Sequence, residues 1–125
     1  MSELAVVTGA SRGIGKHTAL RLAAEGATVV VHYRGNQALA DEVVRRIEGE
    51  GGSDFTLQSN LSDPAAPRQF YERLDAELQR RFGSTQIDIL VNNAGAGTRA
   101  LIEDVTEEAF DETLQVDLKA PFFLI

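Results

Sequence analysis

The chain has 125 residues, 43% hydrophobic and 25% charged, which is enough for one folded domain with its own core. Its formal net charge of -7 argues against nucleic acid as a partner, and without a leader peptide or a membrane-length apolar run we expect a cytoplasmic protein. The absence of cysteine excludes disulfides and thiol chemistry, and two isolated histidines, His17 and His32, predict no metal site.

The chain opens with a short apolar strand that is followed by an amphipathic helix. Residues 4–7 are all apolar and are predicted to form a buried strand. Residues 13–25 are predicted to form a helix, and Gly26 is expected to end it, because glycine readily adopts the left-handed conformation. The predicted buried stripe of this helix consists of Ile14, Thr18 and Leu22.

A second strand and a second helix repeat this order. Residues 28–32 are predicted to form the strand, and the helix is expected to run from about residue 37 to 48. The glycine-rich stretch at 49–52 then stops the helix. The apolar residues expected to face the sheet from this helix are Leu39, Val43, Val44 and Ile47.

The third strand is predicted around Phe55 and Leu57, which alternate with polar residues. Asp63 is expected to be the N-cap of the next helix and Pro64 its first residue. The apolar side of this third helix is predicted to consist of Phe70, Leu74, Leu78 and Phe82.

The fourth strand is predicted at residues 87–91, and Thr106 is expected to cap a last helix. Apolar residues recur every four positions along this helix, namely Phe110, Leu114, Leu118 and Phe122. Because the helix is still apolar at Ile125, we expect the chain to be a truncated domain.

The alternation of strands and helices predicts one α/β domain at residues 1–125, a truncated Rossmann-type, doubly wound parallel sheet of about four strands with helices on both faces. Right-handed crossovers would place the first and fourth strands side by side. The ligand crevice is then expected at their carboxyl ends.

A glycine-rich turn, TGASRGIG at residues 8–15, joins the first strand to the first helix. Gly9 permits a tight turn, Gly13 lets the backbone approach a pyrophosphate, and Gly15 allows close packing of the helix. The free N–H groups at the helix start would then face the phosphates. The alternative is a turn that merely requires glycine.

The spacing T-G-x-x-x-G-x-G resembles that of the short-chain dehydrogenase/reductase family, as does the sequence NNAG at residues 92–95 directly after the fourth strand. The resemblance covers the whole chain and is closest to 3-oxoacyl-carrier-protein reductase-like ketoreductases. It implies an oxidoreductase that transfers hydride between a nicotinamide and a carbonyl or alcohol substrate. It also implies that Asn92, Ala94 and Gly95 line the nicotinamide ribose.

The end of the second strand predicts a preference for NADP(H) over NAD(H). An acidic residue usually holds the ribose 2′-hydroxyl there in NAD-binding folds, whereas this chain has Tyr33 followed by Arg34. A guanidinium can pair with the 2′-phosphate that an acid would repel. Arg34 and Arg12 could instead be solvated surface charges. The resemblance adds Arg12 as a second basic residue, and Asn60 and Leu61 as contacts on the adenine side.

Together, the turn, the strand ends and the resemblance give one set of predicted cofactor-binding residues: Gly9, Ser11, Arg12, Gly13, Ile14, Gly15, Tyr33, Arg34, Asn60, Leu61, Asn92, Ala94 and Gly95.

The resemblance also implies a catalytic serine, a tyrosine and a lysine four residues after it, and none of these can be assigned. Tyr33 and Tyr71 are the only tyrosines, and neither is followed by lysine at that spacing. The fourth catalytic residue of the family is an asparagine in the last helix. In this chain Asp117 stands at that position, and it could equally be a surface or structural residue. We therefore expect this chain to lack the catalytic C-terminal half and to be inactive by itself.

Two hypotheses remain open. The chain is either the N-terminal half of an NADPH-dependent reductase of small carbonyl compounds, or an inactive nucleotide-binding or interaction module. A homodimer or homotetramer is expected in either case, because the last helix forms the main subunit interface in enzymes of the family that the chain resembles. A flavodoxin-like or receiver-type domain would not need both loop motifs.

Overall fold

Parallel strand pairing organises the chain, as described by a computed structural model for residues 3–97 and 99–125. The strands are β1 (Leu4–Val7), β2 (Thr28–Tyr33), β3 (Asp54–Gln58) and β4 (Ile89–Val91). They form one parallel sheet in the order β3-β2-β1-β4. The predicted fold class and the predicted neighbouring of the first and fourth strands are therefore confirmed.

Within the described residues, five α-helices connect and cover these strands. They are α1 (Gly13–Ala24), α2 (Gln37–Gly49), α3 (Ala66–Phe82), α4 (Glu107–Leu114) and α5 (Ala120–Leu124). A π-helical turn at Gln115–Lys119 joins α4 to α5, and a short 3-10 helix at Ile102–Asp104 precedes α4. No helix in the described part of the chain combines the length and the apolarity of a membrane span.

The core has two parts because successive side chains of a strand point to opposite faces of the sheet. On one face, α1 and α2 cover Ala5, Val7, Val29 and Val31. On the other face, α3 and α5 cover Leu4, Val6, Val30 and Leu57. Each large apolar side chain that is fully buried in these layers contributes roughly 1.5–3 kcal/mol.

The predicted buried stripe of α1 is wrong by one position. Ile14 is 78% exposed, whereas Gly15 and Ala19 are fully covered, with Thr18 and Leu22 only half-buried. The smallest side chains face the sheet because the first turn of α1 lies directly against the backbone of the loop that precedes it. Residue size therefore selects the buried face of this helix more strongly than hydrophobicity does.

The second and third helices also differ from the prediction in detail. In α2 the covered residues are Ala40, Val43 and Ile47, and Leu39 and Val44 are only half-buried. The remaining predicted stripe residues of α3 are buried, but Phe82 is 45% exposed at its C-terminal end.

The start of α3 and the start of β4 were both predicted two residues too early. The helix begins at Ala66, because the Asp63 carboxylate accepts a hydrogen bond from the Ala65 N–H at 2.9 Å and holds a separate turn. The strand begins at Ile89, although the Asp88 N–H still donates to the Leu4 carbonyl at 2.9 Å.

The predicted ends of α1 and α4 are confirmed. Gly26 has a φ of +99° and follows Glu25, the C-cap of α1, and its N–H donates to the Ala23 carbonyl at 3.0 Å. The Thr106 hydroxyl accepts a hydrogen bond from the Ala109 N–H at 3.1 Å, which makes Thr106 the N-cap of α4.

The segment from α4 to α5 packs on the sheet with the side opposite to its apolar stripe. Val116, Ala120 and Leu124 are buried, and the Tyr71 hydroxyl of α3 donates to the Leu124 carbonyl. The predicted stripe is exposed in the single chain, and it comprises Phe110, Leu114, Leu118 and Phe122.

Candidate functional site

An open cavity of about 630 Å³ lies at the carboxyl ends of the strands, where the sequence predicts the ligand crevice. The loops after all four strands contribute to it, together with Val116 from the π-helical turn. The predicted cofactor-binding residues that line the cavity are Gly9, Ser11, Arg12, Gly13, Arg34, Asn60, Leu61, Ala94 and Gly95. Within the described residues, no group of three or more histidine, cysteine or acidic side chains could hold a metal ion.

The turn after β1 depends on two glycines in the left-handed conformation. Gly9 and Gly13 have φ angles of +61° and +60°, which L-residues with a side chain rarely adopt. A Cβ on Gly9 would also lie 3.0 Å from the Cα of Ala94, whereas a Cβ on Gly13 would meet no atom within 4 Å. Gly13 therefore presents open space to the cavity.

Gly15 allows the close helix packing that the sequence predicts. A Cβ at this position would lie 2.2 Å from the carbonyl oxygen of Gly9 and 2.5 Å from Nδ2 of Asn93. The first turn of α1 is thereby held against the loops after β1 and β4. No side chain among the described residues caps its N-terminus at Arg12, so the first backbone N–H groups of α1 remain available to an anion.

A hydrogen-bond network joins the two loops that carry the sequence motifs. The Thr8 hydroxyl accepts hydrogen bonds from the N–H groups of Asn93 and Ala94 at 3.0 and 2.9 Å. The side-chain Nδ2 of Asn93 donates to the carbonyls of Thr8 and Gly9, both at 3.1 Å. Asn92, the residue of this motif predicted to contact the cofactor, is exposed and does not line the cavity, and Asn93 makes the structural contacts.

His32 on β2 supports the glycine turn by a hydrogen bond, a role that was not predicted from the sequence. Its Nδ1 accepts a hydrogen bond from the Gly9 N–H at 2.9 Å, so Nε2 carries the proton and donates to the Ser59 carbonyl at 3.0 Å. Burial lowers the pKa of His32 to about 4, against a smaller opposing effect of the bond to Ser59, and the ring is neutral at pH 7. The available sequence signal was the spacing of His32, two residues after the buried Val30 on β2, which places both side chains on the same face of the sheet.

Arg34 and Tyr33 have different surroundings although they are adjacent. Arg34 lines the cavity, and its backbone carbonyl accepts a hydrogen bond from Gln58 Nε2 at 2.7 Å. The side chain of Tyr33 is buried on the α1 and α2 face of the sheet, with Val29 and Val31. The structure therefore places the Tyr33 ring outside the cavity, as strand alternation requires.

The loop after β3 supplies the adenine-side residues of the prediction. The Asn60 side-chain oxygen accepts hydrogen bonds from the Ser62 N–H at 3.1 Å and from the Ser62 hydroxyl at 2.6 Å. Leu61 is 4% exposed and belongs to the core on the α3 face. The floor of the cavity on this side is thus an ordered turn over buried apolar residues.

Asp117 is placed against the loop that follows β4. Its Oδ1 accepts a hydrogen bond from the Ala96 N–H at 2.8 Å. The residue belongs to the π-helical turn, and such turns occur frequently at functional sites. This contact gives Asp117 a structural role, one of the two roles that the sequence left open.

Four predicted cofactor-binding residues do not line the cavity, namely Ile14, Gly15, Tyr33 and Asn92. Gly15 acts through packing, as described above, and Ile14 projects its side chain into solvent.

Comparison with known proteins identifies the family that this chain matches. A family model described as "short chain dehydrogenase" matches residues 3–125. The 3-oxoacyl-[acyl-carrier-protein] reductase FabG of Staphylococcus aureus is 38% identical over 122 residues, which cover 98% of this chain and 47% of the reductase. The chain therefore spans about half the length of the curated relatives that it matches.

Two solved structures are similar to this chain over nearly all of its length. The angucycline C-6 ketoreductase LanV with bound NADP has a TM-score of 0.94 and 45% identity, and the match covers 98% of this chain and 48% of LanV. The reductase LugOII of lugdunomycin biosynthesis has a TM-score of 0.93 and 48% identity, and the match covers 98% of this chain and 51% of LugOII.

Substitution of Gly15 by alanine is expected to destabilise the fold by about 1–3 kcal/mol, because the new methyl group would overlap the Gly9 carbonyl. Gly49→Ala is the matched control, since a Cβ there meets no atom within 4 Å and alanine favours the helix. Urea unfolding measures both variants. Equal stability of the two would contradict the packing role of Gly15.

We expect His32 to make the fold less stable as the pH falls. Below its ordinary pKa of 6.5 the unfolded chain protonates this histidine, while the folded chain stays neutral down to a pKa of about 4. Stability is therefore lost between these two values, by roughly 3 kcal/mol. In urea unfolding from pH 7 to pH 4, the stability of the parent minus that of His32→Gln should fall by this amount.

The comparison with the variant is necessary because Asp54 acts in the opposite direction. Burial, together with the neighbouring Glu48, raises the pKa of Asp54 to about 7, so its contribution to stability is lost as the pH rises towards 7. Asp54 is present in both proteins and cancels in the difference. A difference that stays constant across the pH range would contradict the assignment of a buried neutral His32.

Proposed function

The chain belongs to the short chain dehydrogenase family, and on that premise we propose that it is the NADP(H)-binding part of an oxidoreductase that transfers hydride between nicotinamide and a carbonyl or alcohol substrate. The observation that carries this proposal is the cavity where the glycine turn, the uncapped start of α1 and Arg34 meet. LanV, which is 45% identical to this chain, holds NADP in its structure.

The residues at the cavity suit the parts of a dinucleotide. The backbone at Gly13 and the free N–H groups of α1 would hold the pyrophosphate, because that end of a helix favours negative charge. Arg12 and Arg34 would hold the 2′-phosphate, with Asn60 and Leu61 on the adenine side. When bound, the cofactor supplies the hydride.

The loop after β4 would meet the nicotinamide end of the cofactor. Ala94 and Gly95 line the cavity there, and the N–H groups of Asn93 and Ala94 fix the position of this loop by donating to the Thr8 hydroxyl. Asp117 holds the next residue of that loop through the Ala96 N–H. These contacts would keep the loop in one position while the cofactor binds.

We expect Arg34→Asp to weaken NADPH binding by about 10- to 100-fold and to leave NADH binding nearly unchanged. One charge-assisted pair to a phosphate contributes roughly 1.5–3 kcal/mol, and NADH lacks the phosphate. Fluorescence titration of both nucleotides gives the two dissociation constants. Arg45→Asp on the exposed side of α2 is the control for net charge, and an unchanged NADPH to NADH ratio in Arg34→Asp would refute the assignment.

We infer that this chain by itself has no measurable carbonyl reductase activity. It contains no tyrosine followed by lysine four residues later, and loss of general acid-base assistance typically costs about 10²–10⁴-fold in rate. An NADPH-oxidation assay on common ketones is expected to show no turnover. Binding without turnover also fits the alternative of an inactive nucleotide-binding module, whereas turnover would refute the inference and indicate a different catalytic group.

We also propose that the chain associates with itself as a homodimer or homotetramer. Leu118 and Phe122 are 64% and 68% exposed on the apolar side of the α4 to α5 segment, and β4 is an edge strand of the sheet. Exposed apolar patches and open strand edges favour association. A cytoplasmic location stays a prediction from the sequence.

Leu118→Glu is expected to shift the protein towards the monomer, because a charge in the apolar stripe would have to be buried on association. Phe82→Glu places the same charge at an exposed apolar residue on α3 and is expected to leave association unchanged. Size-exclusion chromatography with light scattering measures the mass of each. A monomeric parent protein would refute the proposal.

A further inference from the structure

The ion pair between Arg34 and Glu112 joins distant parts of the chain. Nη1 of Arg34, directly after β2, lies 3.3 Å from Oε1 of Glu112 on α4. The other ion pairs among the described residues join positions three or four apart on one helix. The Arg34–Glu112 pair therefore connects α4 to a residue that lines the cavity.

Arg34 lies between two depressions, of which one is lined by the glycine turn and the other by acidic side chains. On one side it lines the cavity with the glycine turn, and on the other it lines a depression of about 360 Å³ next to α4. Glu108, Asp111 and Glu112 also line that second depression. The guanidinium proposed to meet the 2′-phosphate is thus already in contact with a carboxylate of the same chain.

Glu112 and a phosphate would interact with the same cation. A guanidinium has five N–H donors, and Glu112 contacts one of its nitrogens, so Arg34 keeps donors for a second anion. When a phosphate binds to Arg34, the Glu112 carboxylate either stays next to it or has to move away. A 2′-phosphate is repelled in this position, whereas an uncharged 2′-hydroxyl is not.

We propose that Glu112 is a specificity-determining residue: its carboxylate competes with the cofactor 2′-phosphate for Arg34 and so reduces the preference for NADP(H) over NAD(H). This inference rests on the proposed function of the cavity. Both side chains are about half exposed, so the solvent screens their attraction and the effect is modest. Removal of the carboxylate charge is expected to favour NADPH selectively.

The test compares Glu112→Gln with Asp111→Asn, titrated with NADPH and with NADH at low salt. Asp111 lines the same depression and loses the same charge, but it is not the partner of Arg34. Glu112→Gln is expected to tighten NADPH binding by about two- to fivefold, the range for an exposed ion pair, and to leave NADH binding nearly unchanged. Asp111→Asn is expected to have a clearly smaller effect on NADPH.

A double-variant cycle separates competition for Arg34 from a general charge effect. In the Arg34→Ala background, Glu112→Gln is expected to affect NADPH binding no more than Asp111→Asn does. Equal effects of the two acidic variants in the parent, equal tightening of NADH, or unchanged NADPH binding would each overturn the role of Glu112. If the parent binds no NADPH, the proposed function fails as well, whereas normal binding that is insensitive to Glu112 overturns this inference alone.

Discussion

The contact between Gly15 and the carbonyl of Gly9 is the constraint on which the rest of the site depends. A single Cβ at Gly15 would lie 2.2 Å from that oxygen, so α1 can approach the end of β1 only because the side chain is absent. The approach brings the uncapped first turn of α1 to the rim of the cavity. It also brings the turn within reach of Asn93, which fixes the loop after β4 at the same point.

The polar side chains beneath the cavity hold backbone and leave the space above them open. Thr8, His32 and Asn93 each bond to main-chain groups of the loops after β1, β3 or β4. Because their hydrogen bonds are made within the chain, the buried side chains of Thr8 and His32 and the half-buried side chain of Asn93 are satisfied without a ligand. The hydrogen-bonded loops then present backbone N–H groups to the cavity, which reduces the cost of ordering the site on binding.

The sequence predicts the parts of this structure that depend on local pattern. The N-cap Thr106 and the left-handed Gly26 follow from local backbone chemistry, and the structure confirms them. The neighbouring of the first and fourth strands follows from the right-handed crossover rule and is also confirmed. The buried face of α1 was misassigned because hydrophobicity favours Ile14, whereas the available space admits only Gly15 and its small neighbours. The support from His32 and the pairing of Arg34 were not predicted, because a local pattern indicates whether a side chain is buried but does not identify its partners, which lie 23 to 78 residues away.

The π-helical turn at Gln115–Lys119 changes the rotation of the helix so that two separate contacts can form. An α-helix advances about 100° per residue, and a wider turn delays this rotation by roughly one residue. The delay lets Asp117 reach Ala96 while Leu124 still packs beneath α3. The packing of Leu124 and the bond from the Ala96 N–H to Asp117 thus both depend on the rotation set by this turn. An insertion or deletion of a single residue here would disturb both contacts at once.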